Sequence, residues 1–122
     1  MQIRCLIVDD NRSFLESARV LLEREGIAVV GVATTSADAL RIEEELRPDV
    51  VLVDIRLGTE SGFDLAGRLS GKVILISTEA QDEYADEIAA SRAVGFIPKA
   101  QLSASEIRRL AGGSTDEGAS AR

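Results

Sequence analysis

The chain has 122 residues, room for one ordinary domain, and an apolar fraction of 45% that suffices for a real core. Its 21 acidic and 14 basic side chains leave a formal charge of -7, which argues against a nucleic-acid backbone as the main ligand because phosphate binding is driven by clustered Lys and Arg and no such cluster is visible. With no His, the chain offers no histidine general base, no phosphohistidine and no Cys/His zinc site.

Cys5, the single cysteine, lies in an apolar stretch and reads as a small buried hydrophobe. Nothing at the start resembles a cleavable leader, and no apolar run approaches the roughly 20 residues that cross a bilayer. The expected location is cytoplasmic, without a membrane partner.

Ile3 to Val8 is almost wholly apolar and ends at Asp9-Asp10-Asn11, as a strand buried on both faces ends in a loop. Phe14, Ala18, Leu21 and Leu22 follow at helical spacing, with Asp10 or Asn11 as the cap and Gly26 as the stop. Ile27 to Ala33 reads as a second strand. Ala39, Ile42 and Leu46 mark the inner face of a second helix, closed by Pro48. A third strand, Val50 to Val53, ends at Asp54. A weak helix follows from about Gly62 to Leu69, then a fourth strand from Lys72 to Ile76, ending at Ser77-Thr78. Tyr84, Ile88 and Ala89 suggest a helix, Val94 to Ile97 a fifth strand, and Ser103 to about Ala111 a short last helix.

Five apolar strands alternating with five helices require an open, mostly parallel α/β sheet with helices on both faces. Residues 1–111 form this domain in the sequence reading; 112–122, polar and without an apolar anchor, read as a disordered tail or linker.

Ligands of such sheets bind beyond the carboxyl ends of the strands. Asp9 and Asp10 follow strand one, Asp54 strand three, Ser77 and Thr78 strand four, and Lys99 strand five. If strands one and three are neighbours, three carboxylates converge and repel unless a cation joins them. An all-oxygen ligand set favours Mg²⁺, or Mn²⁺, with waters retained. Lys99 is placed to pair with Asp54 or with a phosphoryl group on it, and Ser77 to donate a hydrogen bond. Each residue alone is readable as a cap or a solvated loop residue. Together they suit phosphoryl transfer to Asp54.

Ile7-Val8-Asp9-Asp10-Asn11, the run Pro48-Asp49-Val50-Val51-Leu52-Val53-Asp54-Ile55-Arg56-Leu57, and Gly95-Phe96-Ile97-Pro98-Lys99 make the chain recognisable. Over roughly residues 3 to 111 it resembles the receiver domain of bacterial two-component response regulators, the CheY-like family. The resemblance implies a doubly wound five-stranded parallel sheet of order 2-1-3-4-5, a flavodoxin-like three-layer sandwich. That order is the family's and is not read from these residues. It also implies that Asp54 is the phosphoacceptor, with Lys99 and Ser77 completing the catalytic set. Metal ligation falls to Asp10 directly, Asp9 chiefly through water, Asp54, and the backbone carbonyl of Arg56. Ser77 and Phe96 take the switch positions, and the face of helix four, strand five and helix five carries the output.

Several positions depart from the family pattern. Gly58 stands where Pro is common and Ser61 where Asp is common, while Gly62 is retained. The segment from Gly62 to Lys72 is short, so helix three is expected to be short. Ala100 replaces the Pro that usually follows the lysine, which leaves the geometry of the Lys99–Ala100 peptide open. Arg56 and Glu79 occupy the two variable positions that influence phosphoryl lifetime in the family. Arg56 either shielding the acyl phosphate or pairing with Glu79 across the cleft would hinder an in-line water, which predicts a phosphoryl group that lasts minutes or longer.

The leading reading is phosphorelay signalling. A histidine kinase or phosphotransfer protein donates a phosphoryl group to Asp54 with Mg²⁺, and the output is conformational. Any catalysis is limited to self-phosphorylation and slow self-dephosphorylation. Partners implied are a downstream protein or output domain and a phosphorylation-dependent homodimer. The rival reading is a receiver-like interaction module that ignores phosphate.

Overall fold

A computed structural model describes residues 2–112. Seven strands and five α-helices run in the order β1 (Arg4–Val8), α1 (Arg12–Arg24), β2 (Ala28–Ala33), α2 (Ser36–Leu46), β3 (Val50–Asp54), β4 (Arg56–Leu57), β5 (Glu60–Ser61), α3 (Gly62–Arg68), β6 (Lys72–Ser77), α4 (Ala85–Ala90), β7 (Gly95–Pro98) and α5 (Ala104–Ile107). The main sheet is parallel with order β2-β1-β3-β6-β7. Counting only its five long strands, that is the order 2-1-3-4-5.

Alternation along the central strands divides the core into two layers, because successive side chains of a strand point to opposite faces. Cys5, Ile7, Val50, Leu52, Ile74 and Ile76 pack with α1 and α5 residues on one face. Leu6, Val8, Val51, Val53, Val73 and Leu75 pack with α2 and α3 residues on the other. Each fully buried Leu, Ile or Val contributes roughly 1.5–3 kcal/mol. Burial raises the Cys5 thiol to about 12, so it stays protonated and inert.

Side-chain caps fix the helix starts. The Asn11 side chain accepts the Phe14 N–H, Thr35 accepts Asp38 N–H, Ser61 accepts Asp64 N–H and Ser103 accepts Glu106 N–H. Ser61 therefore supplies a cap for α3 although it departs from the commoner Asp.

Four features differ from the sequence reading. First, β4 and β5 pair as a tiny antiparallel ribbon between Asp54 and α3. Two-residue strands have no readable periodicity. Gly58 takes φ +63 in its turn, a conformation closed to the Pro more common there. Second, Leu46 is 38% exposed, whereas Glu43 is buried on the inner side of α2. The Glu43 carboxylate accepts the Ser70 and Gly71 N–H groups, at 2.8 and 2.7 Å, which satisfies its charge.

Third, Tyr84 falls in a 3₁₀ turn, Gln81–Tyr84, ahead of a six-residue α4. Fourth, the last helix is α only to Ile107 and continues as a π turn over Arg108–Gly112. Its packing is nonetheless fixed at both ends: Glu25 Oε1 accepts the Ala104 N–H, and Lys72 Nζ donates to the Ala111 carbonyl. Among the described residues every peptide bond is trans, including Lys99–Ala100. Beyond Gly112 the expected tail lies outside the described residues. No helix among those described is long and apolar enough to cross a membrane.

Candidate functional site

Strand register brings the site together. Val8 lies level with Val53, so the next residues, Asp9 and Asp54, emerge side by side. Asp54 is level with Ile76, and Ser77 follows one step on, level with Pro98. Lys99 is the next residue of that edge strand's continuation. The carboxyl ends of β1, β3, β6 and β7 thus meet around a cavity of about 290 Å³, lined by Asp10, Asp54, Arg56, Gly58, Ser77, Thr78, Glu79 and Lys99. A larger cavity of about 470 Å³ opens at the opposite end of the strands beside Glu43, whose carboxylate is already hydrogen-bonded to the Ser70 and Gly71 N–H groups.

Asp9 is fully buried and Asp54 is 8% exposed, while Asp10 is open to solvent. One carboxylate oxygen from each of the three lies within 4.8 Å of the others. The Lys99 ammonium pairs with both Asp9 and Asp54, at 3.2 Å from Asp54 Oδ2. It also stands 4.4 Å from the centre of the Phe14 ring, which covers it from α1. Asp54 Oδ1 accepts the Arg56 N–H at 3.2 Å, and Asp9 Oδ1 accepts the Asn11 N–H at 2.9 Å.

Burial, and then the neighbouring charge of Asp9, raise the Asp54 carboxyl to about 6 against the lowering effects of Lys99 and the Arg56 N–H. Burial works to lower Lys99, but its contacts with Asp9 and Asp54 outweigh it and hold the ammonium above its usual value.

Three carboxylates and one ammonium leave net negative charge, and buried Asp9 Oδ2 accepts no well-aligned hydrogen bond although Lys99 lies against it. Hard oxygen donors with that charge fit a divalent cation such as Mg²⁺.

The raised carboxyl has a consequence for stability. The folded protein holds the Asp54 proton more tightly than the unfolded chain, whose group titrates near 3.8. The contribution is therefore greatest below 3.8 and is lost as the pH rises through about 6. In metal-free buffer, the stability of Asp54→Asn relative to wild type is expected to shift in the variant's favour by on the order of 2–3 kcal/mol between about pH 4 and pH 7. Urea melts at several pH values measure this; a gap that stays constant contradicts it.

Of the residues singled out in the sequence, Asp9, Asp10, Asp54, Arg56, Ser77, Glu79 and Lys99 meet at this one end. The Arg56 side chain, 68% exposed, pairs with Glu79 at 2.9 Å. Phe96 is outside the cavity lining, buried at 7% in the core layer that Tyr84 and Ile88 adjoin. Sequence reasoning missed Tyr84, whose hydroxyl joins the Arg56–Glu79 pair. An aromatic at a helix start signals packing, and nothing in its spacing marks the hydroxyl. The helical spacing of Phe14 signals packing alone, yet its ring also covers Lys99.

Residues 5–111 match the family described as the response regulator receiver domain. The response regulator GacA of Pseudomonas aeruginosa is 30% identical over 103 residues, covering 80% of this chain and 48% of GacA. The transcriptional regulatory protein BtsR of Salmonella typhi is 32% identical over 100 residues, with 80% and 42% covered. The chain spans about half the length of these relatives or less. Among solved structures, the receiver domain of NarL from Mycobacterium tuberculosis superposes with a TM-score of 0.74 at 28% identity, covering 83% of this chain and 86% of that one. A CheY-like receiver domain from Methanospirillum hungatei gives 0.76 at 26% identity, with 90% and 91% covered. On its fold and on the match across nearly all its described residues, this chain belongs to the response regulator receiver domains of two-component signalling.

Proposed function

We propose that the chain accepts a phosphoryl group on Asp54 from a phosphohistidine of a histidine kinase or phosphotransfer protein, and passes the signal on as a change of surface. The observation that carries this reading is the clamp at the strand ends. A buried carboxylate is oriented by one backbone N–H and by Lys99, beside two further carboxylates.

In the reaction a carboxylate oxygen of Asp54 forms the new bond to phosphorus. The donor's P–N bond breaks, and its electron pair leaves with the imidazole. The Arg56 N–H and the Lys99 ammonium hold the carboxylate, and Lys99 is within reach of an added phosphoryl oxygen. Ser77, one residue beyond the level of Asp54, presents a hydroxyl for a second one. Asp9, Asp10 and Asp54, with the Arg56 carbonyl, are the proposed ligands of Mg²⁺ or Mn²⁺. Such an ion supplies charge neutralisation and a Lewis acid for phosphoryl oxygens.

The phosphoryl group adds charge and strong acceptors beside Ser77, which with Phe96 forms the proposed switch. Arg56 and Glu79 stand at the rim, and their pairing supports a long-lived acyl phosphate. The expected setting is cytoplasmic. The receiver's output goes to a downstream protein, to a further domain, or to a phosphorylation-dependent homodimer.

A phosphoryl mimic tests the reading at equilibrium. Beryllofluoride with Mg²⁺ is expected to raise the melting temperature of the wild-type protein and to leave Asp54→Ala unmoved. No shift in the wild type, with Mg²⁺ bound, would favour the phosphate-independent interaction module.

A further inference from the structure

The rim of the acidic cavity is held by Tyr84. Its ring leans on Phe63 of α3, with centroids 6.2 Å apart and planes at 45°. Its hydroxyl accepts hydrogen bonds from Arg56 Nη2 at 2.8 Å and Nε at 3.2 Å, and donates to Glu79 Oε1 at 2.8 Å. Arg56 Nη2 also donates to Glu79 Oε2 at 2.9 Å. Three side chains from two segments, β4 and the connection between β6 and α4, close a ring of hydrogen bonds.

The hydroxyl's bonding capacity is full, with one proton given and two lone pairs used. Inside the ring, the Glu79 N–H donates to Ser77 Oγ at 3.0 Å. The strand-end hydroxyl, the rim and the start of α4 are therefore one connected network.

The Arg56 side chain is 68% exposed, so packing does not fix it. Its position depends on Glu79 and on the two bonds to Tyr84. Asp54 is buried except where it lines the cavity that Arg56 and Glu79 also line, so water that attacks a phosphoryl group there approaches through that cavity.

We propose that Tyr84 is a positioning residue that fixes Arg56 against Glu79 across the cavity mouth and so slows hydrolysis of an acyl phosphate on Asp54. This rests on the phosphoacceptor reading above. The role belongs to the hydroxyl and acts through Arg56, while the ring's contact with Phe63 serves packing.

Phosphoryl decay in Mg²⁺, followed after removal of acetyl phosphate, tests this in four proteins: wild type, Tyr84→Phe, Arg56→Ala and the double variant. Tyr84→Phe keeps the ring on Phe63 and removes only the hydroxyl. It is expected to speed decay about threefold to tenfold, the scale of one or two modest hydrogen bonds. In the Arg56→Ala background the same change is expected to have no further effect, because nothing remains to be positioned.

A merely structural tyrosine would speed decay equally in both backgrounds, and that result overturns the proposal. So does decay at the wild-type rate in Tyr84→Phe, which leaves the phosphoacceptor reading standing. A folded wild-type protein that takes up no phosphoryl group and also fails to bind beryllofluoride with Mg²⁺ would instead overturn that reading, and this proposal with it.

Discussion

Replacing Gly62 by Ala is expected to destabilise the fold by about 3 kcal/mol or more, an effect at the upper end of overpacking substitutions. A Cβ there would lie 2.0 Å from the Asp54 carbonyl oxygen, 2.8 Å from its carbon and 2.9 Å from Ile55 Cα. All three are backbone atoms, so no side chain can rotate away. The Gly62 N–H donates to the Ile55 carbonyl at 2.7 Å, which anchors the start of α3 against the strand end that presents Asp54. Any shift that relieves the clash moves the acceptor as well. Gly67, on the same helix, supplies the contrast, since nothing lies within 4 Å of its added Cβ. Gly67→Ala is expected to be neutral or to stabilise by up to about 1 kcal/mol. Urea denaturation of the two variants measures the difference, and equal effects would contradict this account of Gly62.

Replacing Lys99 by Met removes the ammonium while keeping most of the stem. At about pH 7.5 without metal this leaves Asp9 and Asp54 together with no cation, at an expected cost of about 3–5 kcal/mol. Two conditions should restore stability: acid, which protonates the carboxylates, and Mg²⁺, which replaces the missing charge. The melting temperature of the variant should therefore rise more on adding Mg²⁺ than that of the wild type. Phosphoryl acceptance should fall about a hundredfold or more, as when a charged or hydrogen-bonding group that stabilises a transition state is lost. Stability unchanged at neutral pH would show that the ion pairs at Lys99 contribute nothing.

The parts legible in the sequence are those with strong local signatures. Apolar runs that stop at Asp9, Asp54, Ser77 and the Pro98-Lys99 step announce strands whose ends gather polar groups, and the register of β1, β3, β6 and β7 places them together. The order of the strands came from family resemblance, since periodicity says nothing of which strands are neighbours.

What escaped reading depends on contacts between distant residues. Glu43 looks like a solvated helix residue until α3 ends and offers it the N–H groups of Ser70 and Gly71. Leu46 looks like a core residue, but its position at the end of α2 leaves it 38% exposed. The β4–β5 ribbon is too short for alternation to show. Tyr84 carries its information in a hydroxyl, and its partners lie 28 and 5 residues away in the chain.

The most direct test of the central claim is the intact mass of the protein after incubation with acetyl phosphate, with and without Mg²⁺, beside Asp54→Ala. The account predicts a gain of one phosphoryl group that requires the metal and is absent from the variant. A folded wild-type protein that binds Mg²⁺ yet gains no phosphoryl group, and that also fails to bind beryllofluoride, would contradict it. So would a gain of equal size in Asp54→Ala.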